Sequence, residues 1–232
     1  FMIFEQLFDQ KSSTYTYIIA SGEGREALII DPVIEHSDEY STILKNLDLK
    51  LVKVIDTHIH ADHISALNEL NKRTNCIRVM GEKSKSEVID LRIKDGEKIK
   101  VEEVELQAIY TPGHTDCSYS FLMNDRVFTG DTLLINGSGR TDFQNGNAYD
   151  AYDSIFNKLL KLPEKTLVFP AHDYNGKKFS TIENEKNNNP RLQVSSKEEY
   201  ADIMNNLNLA NPKMMDVAVP ANVKGLTLDN IN

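Results

Sequence analysis

A layered α/β domain, with sheet covered by helices, is the fold class the sequence predicts. Two observations predict it. Short runs of β-branched and aromatic residues recur along most of the chain, and amphipathic helical patterns interrupt them. The length fits: 232 residues form one unit able to bury about 70% of the unfolded chain's surface.

The elements follow in order. Leu7-Phe8 and the alternating residues 14–19 read as strands, and residues 26–31 as a third, stopped by Pro32. Ser37 reads as a helix N-cap, with Asp38 and Glu39 in the first turn and Tyr40, Ile43, Leu44 and Leu47 at helical spacing. Residues 51–56 form the next strand and run straight into a histidine-rich segment, after which Ile64, Leu67 and Leu70 return to helical spacing. Strands are expected at 76–80, 98–110, 118–123 and 126–128, the last two joined by a turn at Asn124-Asp125. Residues 148–162 read as a helix with Tyr152, Ile155, Phe156, Leu159 and Leu160 on its apolar face. Residues 166–169 are the last strand, closed by Pro170, and from about residue 180 a helical or irregular Asn-rich extension follows.

Composition excludes several classes. Lys and Arg number 26 against 35 Asp and Glu, a net charge of −9 that disfavours nucleic acid and anionic membrane surfaces as partners. Two cysteines 41 positions apart make neither a disulfide framework nor a CxxC motif. No stretch has the roughly 20 apolar residues of a membrane span. The opening residues lack a basic and then apolar signal region, Phe1 reads as an addition ahead of a natural Met2, and a reducing cytoplasm is the expected location.

The chemistry is concentrated in His58-x-His60-x-Asp62-His63, at the C-terminal end of an apolar strand. Chance placement would give this pattern in about a few chains in ten thousand. A solvated polar loop explains one histidine there, but not three with an aspartate inside six residues; convergence on a metal does. His114, Asp131 and His172 each follow an expected strand beside turn residues, so four strand ends supply one ligand set, at the sheet edge where open α/β folds bind ligands. His36 lies outside the pattern. Cys76 and Cys117 read as packing residues.

These residues resemble the metallo-β-lactamase superfamily. The stretches Phe128–Ile135, Gly139–Gln144, Pro170-Ala-His172-Asp-Tyr174, Asn189-Pro-Arg191-Leu192 and Val219-Pro-Ala-Asn222 are similar to the persulfide dioxygenases within it. The resemblance implies a four-layer αββα sandwich and one non-haem Fe(II) held by His58, His114 and Asp131. Two imidazoles and a carboxylate on one face suit iron–oxygen chemistry. It implies oxidation of glutathione persulfide by O₂ and water to sulfite and glutathione, and homodimers as in many relatives; a departure is that the sequence leaves no room for the rhodanese domain some relatives carry. Tyr174, Arg140 and Arg191 are the expected substrate contacts, two of only seven arginines lying in these stretches. His60, Asp62, His63 and His172 are then expected to orient the ligands. A glyoxalase-II-like thioester hydrolase would instead use them for a second metal, with zinc in a dinuclear site. Cys117 departs from the superfamily, which often has Gly there, and would be strained if the position needs positive φ.

Overall fold

The computed structural model describes residues 2–231; Phe1, and the reading placed on it, lie outside them. The strands are β1 (Ile3–Asp9), β2 (Thr14–Ala20), β3 (Glu26–Ile30), β4 (Lys50–Ile55), β5 (Ile77–Gly81), β6 (Leu91–Ile93), β7 (Lys98–Val101), β8 (Val104–Tyr110), β9 (Tyr119–Leu122), β10 (Arg126–Gly130), β11 (Leu133–Leu134), β12 (Gly137–Ser138), β13 (Leu167–Pro170) and β14 (Ser180–Thr181). The helices are α1 (Ser37–Asn46), α2 (Leu67–Thr74), α3 (Ala148–Asn157), α4 (Ile182–Asn188), α5 (Lys197–Asn205) and α6 (Met215–Lys224).

Two six-stranded sheets, ordered β1-β2-β3-β4-β5-β6 and β14-β13-β10-β9-β8-β7, stack face to face. Tyr17, Leu28 and Ile55 of the first meet Leu106, Phe121, Phe128 and Phe169 of the second in a shared core. The outer face of the first sheet carries α1, α2 and α6 through Tyr40, Leu70 and Ala221. The outer face of the second carries α3, α4 and α5 through Ile155, Ile182 and Tyr200. The result is the four-layer αββα sandwich. Strands buried on both faces explain the apolar runs in β2 and β3. No helix among the described residues is long and apolar enough to cross a membrane.

Several boundaries differ from the sequence reading. Residues 98–110 form a hairpin rather than one strand, because Glu102 turns the chain at φ +54°. The helix from Ala148 ends at Asn157; Lys158 leaves helical geometry and a single 3₁₀ turn follows. Ser37 is the first residue of α1, and its hydroxyl donates back to Ile34 O instead of capping. β6, β11, β12 and β14 are additional. Cys117 is not in the positive-φ region, so its side chain is accommodated, buried, with Sγ accepting from Ile59 N.

Candidate metal centre

Parallel pairing gathers the site. β3, β4 and β5 run parallel in one sheet, and β10 and β13 in the other. The segments leaving their C-terminal ends carry Asp31, residues 57–63, Asp131 and His172, while β8 leads into Gly113-His114. A bridge between Thr14 and His172, with Tyr15 N donating to Ala171 O, ties the two sheets together at this edge. All the predicted His and Asp residues meet here. His36 sits apart, between Asp9 and Glu39.

The cluster has two halves. In the outer half, ligand atoms of His58, His114 and Asp131 lie within 4.8 Å of one another. Asp131 Oδ2 is 3.6 Å from His58 Nε2 and 3.4 Å from His114 Nε2. Bonds of about 2.0–2.2 Å to one ion place neighbouring donor atoms about 3–3.5 Å apart, so the spacing fits. Each imidazole is oriented from behind. Thr57 Oγ1 donates to Asp31 Oδ2 at 3.0 Å, so it must accept from His58 Nδ1 at 2.9 Å. His114 Nδ1 donates to the Arg140 carbonyl at 2.8 Å. Both Nε2 atoms thus keep their lone pairs for the site. Burial, reinforced by His60, holds His58 well below its usual pKa, in the neutral form a metal needs. Burial pushes the Asp131 carboxyl up, but the charge and hydrogen bond of His172 outweigh it and keep it ionised.

In the inner half, His60, Asp62, His63 and His172 also converge, but hydrogen bonds occupy most of their polar atoms. His172 lies between two carboxylates, with Nδ1 donating to Asp131 Oδ1 at 2.5 Å and Nε2 to Asp62 Oδ2 at 2.6 Å. Burial disfavours its charge, yet the two carboxylates raise its pKa well above the usual value. The same contact leaves Oδ2 as the free oxygen of Asp131. His60 Nε2 donates to Asp31 Oδ1 at 2.9 Å. His60 Nδ1 and His63 Nε2 are buried without a hydrogen-bond partner among the described residues.

The outer half opens on a cavity of about 430 Å³ lined by His114, Asp131, Tyr174, Arg140, Arg191 and the β11–β12 hairpin. Gly139 permits its geometry, since a Cβ there would lie 1.9 Å from the Asp131 carbonyl. The Arg140 guanidinium is committed: Nε and Nη2 grip Asp142 and Nη1 donates to Ala210 O. Arg191 Nη1 donates to the Ser138 carbonyl, and among the described residues none of its hydrogen bonds reaches a carboxylate. Tyr174 is 70% exposed at the mouth, parallel to the His172 ring at 6.3 Å.

Three groups in the site carried no sequence signal as ligands. Asp31 receives Thr57 N, Thr57 Oγ1 and His60 Nε2; its place at a strand end before Pro32 was the available clue. Thr57 works through His58. Asn222, on α6, donates to His60 O and His63 O at 2.9 Å each and accepts from Ser65 N at 2.8 Å, holding the loop from about 160 residues away.

The family model described as the metallo-beta-lactamase superfamily matches residues 10–90 and 81–172. The mouse protein named "Persulfide dioxygenase ETHE1, mitochondrial" is 43% identical over 226 residues, 96% of this chain and 88% of its own length. A hydroxyacylglutathione hydrolase of Dictyostelium discoideum is 30% identical over 185 residues, 75% of this chain and 68% of its own. The crystal structure of ETHE1 from Myxococcus xanthus superposes with a TM-score of 0.93 at 49% identity, covering 95% of this chain and 97% of that one. Fold, site and relatives agree that the chain belongs to the persulfide dioxygenase family of the metallo-β-lactamase superfamily.

Proposed function

We propose that this protein is a persulfide dioxygenase, oxidising glutathione persulfide with O₂ and water to sulfite and glutathione at one non-haem iron held by His58, His114 and Asp131. One observation carries the choice of a single ion: the outer half presents three oriented, uncommitted donor atoms, whereas His172 in the inner half already serves Asp131 and Asp62 with both nitrogens. Iron(II), when bound, supplies the electrons that relieve the spin restriction on O₂, which zinc cannot do.

The protein's own groups do the rest. Thr57 and the Arg140 carbonyl fix the two imidazole tautomers, and His172 fixes which Asp131 oxygen faces the site. Arg191, with no acidic partner among the described residues, suits a glutathione carboxylate bidentately. Tyr174, a phenol protonated at neutral pH, has a hydroxyl to donate to the substrate's sulfur or peptide. Arg140 lines the cavity with its charge neutralised by Asp142 and anchors the segment at Ala210. With a net charge of −9, attraction of an anionic substrate must be local. We place the whole chain in one working unit, with residues beyond about 180 supplying Arg191 to the cavity and Asn222 to the loop. Two buried free thiols suit the reducing cytoplasm, whereas the mouse relative's name is mitochondrial.

A second reading, the dinuclear thioester hydrolase, is favoured by the unpartnered His60 Nδ1 and His63 Nε2. Metal analysis with oxygen-electrode assays on glutathione persulfide separates the two. One iron per chain and persulfide-dependent O₂ uptake are expected. Two zinc per chain with thioester hydrolysis and no O₂ uptake would establish the hydrolase instead.

A further inference from the structure

Behind the cavity wall lies a fully buried carboxylate that none of the roles above uses. Glu185, on α4, accepts four hydrogen bonds from uncharged donors. Oε1 takes Asn136 N at 2.7 Å and Asn189 Nδ2 at 3.0 Å; Oε2 takes Ser180 Oγ at 2.5 Å and Asn184 Nδ2 at 3.0 Å. A buried carboxylate so placed is costly unless every lone pair is matched. The two Oε1 bonds lead to the cavity. Asn136 is the turn of the β11–β12 hairpin, at φ +58°, and its backbone N–H is pinned by Glu185. Asn189, also fully buried, passes the constraint on: its Nδ2 also donates to Gly137 O at 3.0 Å, and its Oδ1 accepts from Arg191 N at 3.0 Å. Arg191 Nη1 in turn donates to Ser138 O of the same hairpin. One carboxylate therefore fixes both walls that meet at Arg191, the hairpin directly and the arginine's backbone through Asn189.

We propose that Glu185 is a positioning residue for substrate binding, setting the hairpin and the Arg191 guanidinium in the place where a glutathione carboxylate is taken. The proposal rests on the assignment of Arg191 to the substrate. Its chemistry separates the two Glu185 oxygens. Glu185→Gln retains an acceptor for Asn136 and Asn189 if its amide nitrogen faces Ser180, whose hydroxyl can accept, and Asn184 then turns toward solvent. Glu185→Leu keeps bulk and removes every acceptor.

The test uses the iron-loaded full chain and two readouts, calorimetric binding of S-methylglutathione and KM with kcat for glutathione persulfide. Glu185→Leu is expected to raise both the analogue's Kd and KM by about tenfold, with kcat within about twofold and iron content unchanged. Glu185→Gln is expected to stay within about threefold of the parent. In an Arg191→Ala background, Glu185→Leu should add no further loss of affinity, because the two act through one contact. A merely structural role would lower Tm and the active fraction without moving Kd, and a loss of affinity independent of Arg191 would instead multiply with that of Arg191→Ala; either result overturns the proposal. If Glu185→Leu does not fold, Asn189→Ala breaks the same path and must show the same pattern. A parent protein that binds S-methylglutathione without persulfide-dependent O₂ uptake refutes the reaction while the Kd series still decides the role of Glu185. A parent that does not bind the analogue refutes the role itself.

Discussion

The two halves of the histidine–aspartate cluster are built from the same residue types, partly from the same six-residue loop, and differ in where their hydrogen bonds go. In the outer half, each imidazole is bound only from behind, and the atoms facing the cavity are left for a ligand. In the inner half, His172 is held on both nitrogens by Asp62 and Asp131, and only His60 Nδ1 and His63 Nε2 are left without a hydrogen-bond partner among the described residues. Ligand type alone does not make a metal site. The partner on the far side of each ring decides whether its near side is available.

The largest expected effect breaks this comparison if it is wrong. Asp131→Ala should lose the iron and depress O₂ uptake by about a thousandfold or more, since one of three ligands and the group opposite His172 disappear together. His63→Gln, in the inner half, should keep one iron per chain and stay within about tenfold of the parent activity. Metal analysis beside the assay checks both. Equal metal loss in the two variants would mean that the halves are equivalent and the site dinuclear.

How much of this was legible follows from what each residue does. His58, His60, Asp62, His63, His114, Asp131 and His172 announce themselves by residue type at strand ends, and the structure brings all seven together. β3 and β13 were legible because burial on both faces demands continuous apolar runs, and β2 because its alternating threonines and aromatic residues are strong strand formers. β11, β12 and β14, two residues each, are too short for any periodicity to show, although the β11–β12 hairpin forms a cavity wall. Asp31, Thr57, Glu185 and Asn222 act through backbone groups or other side chains, with separations from one residue for Thr57 to about 160 for Asn222, so no common spacing in the sequence marks them. Arg140 was expected as a substrate contact and does line the cavity, but its pairing with Asp142, two residues along, was not legible.

A middle-sized effect sharpens the comparison by disturbing the inner loop alone. Asn222→Ala leaves His60 O, His63 O and Ser65 N without their partner in a buried setting. The expected loss is about 3 kcal/mol of stability, or a Tm lower by about 6–12 °C. Iron content should remain one per chain, because Asn222 touches neither His58, His114 nor Asp131. Asn222→Asp should be at least as destabilising, since it keeps an acceptor for Ser65 N but turns a second oxygen toward two carbonyls. Calorimetry with metal analysis checks the pair; loss of iron in step with Tm would show that the inner loop holds the ion as well.

The smallest effect uses the one histidine outside the cluster as a control for what an ordinary histidine–carboxylate contact contributes here. His36 Nε2 lies 2.8 Å from Asp9 and Nδ1 lies 2.9 Å from Glu39. Partial burial opposes its charge, but the two carboxylates prevail and raise its pKa above the usual 6.5. A histidine whose pKa is higher folded than unfolded binds its proton more tightly in the native state, so its stabilising contribution is complete below about pH 6.5 and disappears as pH rises through the raised value. His36→Gln should therefore lower stability by about 0.5 kcal/mol at pH 6, about 1–2 °C in Tm, with the Glu39 contact half in water and weakly coupled. At pH 9 the variant and parent should unfold together. Thermal unfolding at the two pH values checks this. An equal deficit at both would mean that His36 contributes by packing and neutral hydrogen bonding rather than by charge.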